Sequence, residues 1–268
     1  MDWRFKDRKY TDDGKTLVMG IVNVTPDSFS DGGDYFDAKN AIEHALKHEA
    51  DGADFIDIGA QSTRPGSTVI SAEEEWSRLE GVLNGLKGKL NVPISVDTFY
   101  PEVARKAIDA GAEIINDVSG KFNEDMAKIV KETGCGWIIM HNGSGTPEDV
   151  NNLLDEVATK CAQRDIPVCR LCIDPGIGFG KDYEENIELL RRVNEINLGY
   201  GSVPVLLGVS RKRVIGQGSK QENPKERIYG NIAVDTLAIA KGVNIIRLHD
   251  VEHEIQGIRM ADAVLKNK

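Results

Sequence analysis

The chain has 268 residues, with 33 Lys and Arg against 43 Asp and Glu, for a formal charge of −10 at neutral pH. That balance argues against a scaffold that holds nucleic acid or an anionic membrane by bulk charge, because such proteins need a basic field to displace counterions from phosphates. With 40% apolar and 28% charged residues, the chain has the mix of a folded globular protein rather than a disordered one.

The first ten residues alternate charge with aromatics and contain no apolar stretch of signal-peptide length. No later window approaches the roughly 18 uninterrupted apolar residues of a membrane span, so a cytoplasmic protein is expected. A hairpin is predicted from residues 8–11 through the turn signal Asp13-Gly14 to Thr16-Leu17. A strand over 17–22 runs into Asn23 and a long loop, rich in Gly, Pro and Ser, that reaches Gly33. The spacing predicts a helix over 37–50, with Ala41, Ala45 and Leu46 on one stripe, then a strand ending at Asp57 and a second long loop after Gly59. Ser71-Ala72-Glu73-Glu74 reads as a capping box that opens a helix to Leu86, and a strand over 94–96 ends at Asp97. Pro101 suits the first turn of a helix carrying Val103, Ala107 and Ile108, after which a strand reaches Asn116. A helix closing at Gly134 precedes a strand to His141, and Thr146-Pro147-Glu148 opens the next helix. A strand over 171–173 ends at Asp174, followed by a helix over 184–193. A strand over 205–208 leads to Ser210, a helix spans 225–240, a strand ends at His249, and a helix covers 251–265.

One short phrase recurs through this order at 50–58, 110–117, 133–141 and 241–249: a helix end, a Gly suited to a left-handed C-cap, an apolar run and a polar residue. Counting the four comparable runs makes eight strand-helix units of about 30 residues, which matches an α/β fold of the (β/α)8 TIM-barrel type over 1–268 as one domain, with the hairpin plugging the bottom. An open doubly wound sheet is the alternative.

A barrel places chemistry at the C-terminal ends of its strands. Those ends are Asn23, Asp57, Asp97, Asn116, His141, Asp174, Ser210 and His249, all polar. Helix capping explains any one of them but not eight, several with long loops behind them. Arg64, Arg247, His249 and the run Ser210-Arg211-Lys212-Arg213 gather cations at this mouth and point to an anionic group in the ligand. Asp97 and Asp174 suit the N–H groups of a neutral heterocycle, or a metal. The stretch from Asp174 to Lys181 is not a phosphate-binding P-loop, because Pro175 stands where that motif needs Gly and Asp182 where it needs Ser or Thr. It reads instead as a tight loop that lets backbone approach a ligand. Cys169 and Cys172 form a C-x-x-C without further zinc ligands at suitable spacing and read as ordinary buried thiols.

The loops resemble those of the dihydropteroate synthases, the folate-pathway pterin-binding barrels that sulfonamides inhibit. The resemblance is carried by Met19-Gly20-Ile21-Val22-Asn23-Val24-Thr25-Pro26-Asp27-Ser28-Phe29-Ser30-Asp31-Gly32-Gly33 and by Ser62-Thr63-Arg64-Pro65-Gly66. It continues in order through Ser95-Val96-Asp97-Thr98, Ile115-Asn116-Asp117-Val118, Met140-His141, the 174–181 loop, Gly208-Val209-Ser210-Arg211-Lys212 and Arg247-Leu248-His249-Asp250-Val251. It implies condensation of 6-hydroxymethyl-7,8-dihydropterin diphosphate with p-aminobenzoate, with Mg²⁺ as cofactor. Carried across, the family pattern makes Asn23 the metal-side residue and places Asp27 near the reacting carbon. Asp97, Asn116, Asp174 and Lys212 would hold the pterin edge, with Met140 and Phe179 lining its pocket and Gly208 and Leu248 also among the substrate-binding residues. Arg64, Arg247 and His249 would bind diphosphate, and Thr63, Phe29, Pro65 and Arg211 would shape the p-aminobenzoate site. Catalysis would rest on Asp97, Asn116, Lys212 and Asp27. The family pattern also implies a homodimer, with residues 251–265 offering a packing face, and partners limited to small molecules. A corrinoid-dependent methyltransferase and a catalytically silent pterin-binding protein are the competing readings. The chain departs from the family at Ala60-Gln61, where Gly-Glu is common, at Arg213, a frequent Ser, and at Asn142-Gly143-Ser144-Gly145.

Overall fold

The structure, a computed structural model, describes residues 1–24, 34–61, 68–197 and 199–265, with the side chains of 34–37 left aside. Eight parallel strands pair in chain order: β3 (Leu17–Asn23), β4 (Phe55–Gly59), β5 (Ile94–Asp97), β6 (Ile114–Asp117), β7 (Gly136–Met140), β8 (Leu171–Asp174), β9 (Leu206–Leu207) and β10 (Ile245–Leu248). β10 pairs back onto β3, and a bridge between Ile173 and Val205 joins β8 to the segment leading into β9. The sheet therefore closes, which excludes the doubly wound alternative. Around it lie α1 (Asp34–Ala50), α2 (Ala72–Leu86), α3 (Pro101–Ala110), α4 (Glu124–Thr133), α5 (Pro147–Ala162), α6 (Tyr183–Arg191), α7 (Arg213–Ser219), α8 (Ile228–Ala240) and α9 (Val251–Leu265).

Local chemistry explains the boundaries. Ser71 accepts the N–H of Glu74 at 3.2 Å and starts α2, as its sequence indicates. Gly111, at φ +117°, ends α3 by returning its N–H to Ala107 and Ile108, a conformation a residue with a side chain adopts only at a cost. α7 was not anticipated, since Gly216 and Gly218 mask a seven-residue helix. The helix expected from 225 begins at Ile228 because Pro224–Glu226 first makes a 3₁₀ turn.

The N-terminal hairpin is present in a different register. β1 (Asp2–Phe5) pairs with β2 (Arg8–Thr11) across a turn at Lys6, which sits at φ +46°. Leu17 belongs to the barrel, not to the hairpin. Alternation decides this: Trp3 and Phe5 face one way and need an apolar home, which the barrel floor supplies.

That floor is the inner half of a period-2 pattern. Leu17, Met19, Phe55, Ile114, Ile138, Cys172, Leu206 and Ile245 point into the lumen and form one buried cluster with Trp3 and Phe5. Their neighbours Val18, Ile56, Ile115, Trp137, Ile139, Ile173, Leu207 and Ile246 face outward against the helices. Cys169 and Cys172 carry free thiols, and burial holds the Cys172 thiol well above its usual range. The apolar plug closes the N-terminal end and leaves the opposite end to polar groups.

Candidate active site

Counting two residues on from each lumen-facing apolar position gives the site. Phe55 leads to Asp57, Ile114 to Asn116, Ile138 to Met140, Cys172 to Asp174, Leu206 to Gly208 and Ile245 to Arg247. On the same parity lie Asn23 on β3 and Asp97 on β5. One pleat thus gathers side chains from across the sequence at the C-terminal mouth.

The centre is an ion-pair network. Asp57, fully buried, accepts from Arg247 Nε at 2.7 Å and from the Asn116 amide at 3.0 Å, both on Oδ2, with Arg247 Nη2 in ion-pair contact at 2.6 Å. Arg247 Nη2 also donates to Asp97 at 3.0 Å. Burial pushes the Asp97 carboxyl up from its ordinary range, Arg247 opposes that push and Asp57 adds to it. Arg247 pays for its own burial but keeps its proton, because Asp57 and Asp97 outweigh that loss. Sequence reading placed Arg247 among free cations at the mouth; the structure gives it to two carboxylates.

Asp174 is buried, and burial raises its carboxyl as well, with Lys212 pulling the other way. Lys212 lies opposite, its Nζ donating to the Ile177 carbonyl at 2.6 Å and standing 4.6 Å from the centre of the Phe179 ring. Desolvation brings this ammonium down to about 8. Asp174 also anchors the glycine loop, taking the Gly176 N–H at 2.7 Å. Gly176 sits at φ +68°, and a Cβ there would lie 1.8 Å from the His141 carbonyl oxygen. Lys181, which closes the glycine loop, donates to the carbonyls of His141, Gly176 and Phe179 at 3.1–3.2 Å. A loop of glycines exposes carbonyls, and a Lys closing it is the signal that could have identified this fastener.

The expected site residues divide as follows. Asn23, Asp97, Asn116, Met140, Asp174, Gly208, Lys212 and Arg247 converge on the mouth, with Phe179 beside Lys212. Leu248 faces outward into the layer beneath the helices, so its side chain is remote from the lumen. Arg211 adopts φ +60° and grips Asp250, with Nε to Oδ2 at 2.9 Å and Nη2 to Oδ1 at 2.5 Å. His249 Nδ1 lies 3.0 Å from Ser210 Oγ. Asp27, Phe29, Thr63, Arg64 and Pro65 lie outside the described residues. Asp57 is the residue that sequence reasoning noted but gave no role, although the period-2 count from Phe55 points to it.

The departures are also accommodated. Ala60 is buried with its carbonyl taking Arg78 Nη1 at 3.0 Å, and Gln61 Oε1 accepts the Ile70 N–H at 3.0 Å, so a neutral amide does local backbone work here. Asn142 donates to the Val118 carbonyl at 3.3 Å, and Gly143 N–H reaches the Phe179 carbonyl at 3.3 Å, tying this segment to the glycine loop. Arg213 is exposed.

Carboxyls, an amide and an ammonium around one mouth complement a flat heterocycle with both N–H donors and carbonyl acceptors. Comparison with known proteins points the same way. Residues 19–249 match the family model described as pterin binding enzyme. The dihydropteroate synthase of Bacillus subtilis is 43% identical over 258 residues, covering 94% of this chain and 89% of that protein. The crystal structure of dihydropteroate synthase from Clostridium difficile in the presence of pteroic acid superposes with a TM-score of 0.90 at 41% identity, covering 96% of this chain and all of the other. That from Xanthomonas albilineans in complex with 7,8-dihydropteroate gives 0.89 at 36% identity, with full coverage of both chains.

Proposed function

The chain belongs to the pterin-binding enzymes, and we infer that it works as a dihydropteroate synthase, a transferase of folate synthesis. It joins 6-hydroxymethyl-7,8-dihydropterin diphosphate to p-aminobenzoate, forming the bond from the arylamine nitrogen to the pterin methylene carbon as the bond from that carbon to diphosphate breaks. The observation that carries this reading is the set of Asp97, Asn116, Asp174 and Lys212 around one mouth, with Arg247 in their midst.

We assign the pterin edge to Asp97, Asn116, Asp174 and Lys212, with Met140, Phe179 and Gly208 bounding its plane. The carboxyls accept from ring N–H and amino groups while Lys212 donates to ring acceptors, so buried polar groups are satisfied when the ligand enters. The pterin ring can share positive charge with the adjacent methylene, so departure of diphosphate runs ahead of attack, and fixed charges near both groups lower the barrier. Arg247 makes no hydrogen bond through Nη1 among the described residues, and we assign that nitrogen and His249 to diphosphate, with Arg64 joining from the second loop. Arg211, Thr63, Phe29 and Pro65 are assigned to the p-aminobenzoate side and Asp27 to the reacting carbon.

Magnesium is the cofactor we propose. Asn23, at the C-terminal end of β3, would bring one neutral amide oxygen to a metal held largely by its substrate. Mg²⁺ keeps waters and phosphate oxygens in its shell, and when bound it would neutralise charge on the leaving diphosphate. We further propose that residues 1–268 act as one domain, as a cytoplasmic homodimer. The exposed Leu237, Met260 and Val264 on α8 and α9 support that pairing, and no helix among the described residues is long and apolar enough to cross a membrane.

The test is the two-substrate assay. Purified protein with Mg²⁺ must release diphosphate and form 7,8-dihydropteroate only when both substrates are present. Pterin binding without turnover would reduce the chain to a binding protein, and diphosphate release without p-aminobenzoate would refute the condensation.

A further inference from the structure

We propose that Arg227 is a positioning residue for the turn that carries Arg211 and Lys212, setting the affinity of the pterin site without touching substrate. The proposal rests on the dihydropteroate synthase reading for what that site binds.

Arg227 stands at the start of α8, half-buried, and its guanidinium is spent on backbone. Nη1 donates to the carbonyls of Arg211 at 2.8 Å and Lys212 at 3.3 Å. Nε donates to Gln221 at 2.9 Å and Nη2 to Glu222 at 2.6 Å. Four carbonyls from two separate segments therefore converge on one planar cation, an arrangement for which the forked donors of Arg are suited and a Lys ammonium is not. One face of the guanidinium lies against Gly216 of α7, where a Cβ would come within 2.6 Å of Cζ. The turn it holds needs holding. Arg211 is a non-glycine residue at φ +60°, a conformation that persists only where its surroundings over-determine it. Its N–H reaches Asn231 Oδ1 at 3.4 Å, its side chain grips Asp250, and its carbonyl belongs to Arg227. The next residue, Lys212, returns its N–H to Val209 at 3.0 Å and sends its ammonium into the pterin mouth. Without Arg227 the Lys212 carbonyl keeps its bonds from Ile215 and Gly216 at the start of α7, but the Arg211 carbonyl is released, so the Arg211–Lys212 peptide can rotate and the ammonium at the end of that lever moves with it.

The experiment compares Arg227→Ala, Arg227→Lys and Gly216→Ala with Arg164→Ala, a control guanidinium on the far side that also caps a carbonyl, that of Lys160. Each is checked for folding by circular dichroism, then assayed for KM and kcat with both substrates and for pterin affinity by calorimetry. Arg227→Ala should raise the KM for the pterin substrate by about ten-fold or more with a smaller change in kcat, since charge-assisted bonds to the carbonyls that set this turn are lost. Arg227→Lys should recover only part of it. Gly216→Ala should reproduce the defect with every donor intact, although Ala ordinarily favours a helix over Gly; it decides the question if Arg227→Ala fails to fold. Wild-type pterin affinity in folded Arg227→Ala or Gly216→Ala would overturn the proposal, as would an equal loss in Arg164→Ala. The affinity measurement needs no turnover, so a wild-type protein that binds pterin but forms no dihydropteroate would refute the synthase reading while the binding data still decide the role of Arg227.

Discussion

Replacing Asp57 by Asn keeps the shape of the side chain and removes the charge beneath Arg247. Asp57 is fully buried and accepts two hydrogen bonds, from Arg247 Nε at 2.7 Å and from the Asn116 amide at 3.0 Å, with Arg247 Nη2 in ion-pair contact at 2.6 Å. Breaking a buried ion pair by removing one partner costs about 3–5 kcal/mol. Here Asp97 stays 3.0 Å from Nη2 and the new amide oxygen can still accept one bond, so the expected loss is about 2–3 kcal/mol. For a chain of this size that corresponds to a fall in Tm of roughly 5–10 °C by calorimetry. A second readout is independent of stability. The Asp57 charge is one of the causes holding the Asp97 carboxyl above its ordinary range, so the substitution should let Asp97 ionise at lower pH. Since the raised value means that protonated Asp97 favours the fold, wild-type stability from this group is lost as pH climbs out of the usual carboxylate range. The variant should show a smaller loss over that window. Carbon-13 NMR of labelled aspartate carboxyls would follow the titration. A Tm within about 2 °C of wild type, or an unmoved Asp97 titration, would refute the network as described.

Three further outcomes are expected. Lys212 loses its proton near pH 8 because burial disfavours the charge, so pterin affinity should weaken as pH rises through 8, and Lys212→Arg should move that limb upward out of range; a flat profile from pH 7 to 9 in the wild type speaks against its charged role. Gly176→Ala combines a left-handed φ with a Cβ 1.8 Å from the His141 carbonyl, so the loop must shift, costing about 2 kcal/mol or more in urea unfolding together with pterin affinity; an unchanged midpoint would contradict the geometry. Asp235 and Glu254 are buried together between α8 and α9 beside Asn231, and desolvation pushes them up to about 8 and about 9. Raised values mean stability is kept at acid pH and lost as pH rises through 8 and 9, so Asp235→Asn should melt higher than wild type at pH 9 and show a shallower decline from pH 7; an equal decline in both proteins would remove the pair from the account.

How much of this was legible in the sequence follows from the range of the forces involved. The eight strand-helix units are local patterns, and capping residues such as Ser71 and Gly111 mark their ends, so the barrel could be read without a partner in view. The hairpin slipped because Asp13-Gly14 is a sound local turn signal, while the actual turn at Lys6 is imposed by the distant demand of the barrel floor for Trp3 and Phe5. The site shows the same division more sharply. Alternation along each strand assigns Asp57, Asn116, Asp174 and Arg247 to the lumen and turns Leu248 away from it, a count of two from the preceding apolar residue in each case. What alternation cannot convey is who neutralises whom. Arg247 is 190 residues from Asp57 and 150 from Asp97, and Arg211 pairs with Asp250 across 39. Charge counting along the chain therefore saw a cluster of free cations, whereas closure of the barrel converts most of them into held donors. A guanidinium fixed by two carboxylates has its remaining nitrogen at a set place and orientation, and the diphosphate role proposed for Arg247 rests on this preorganisation more than on the sum of positive charge.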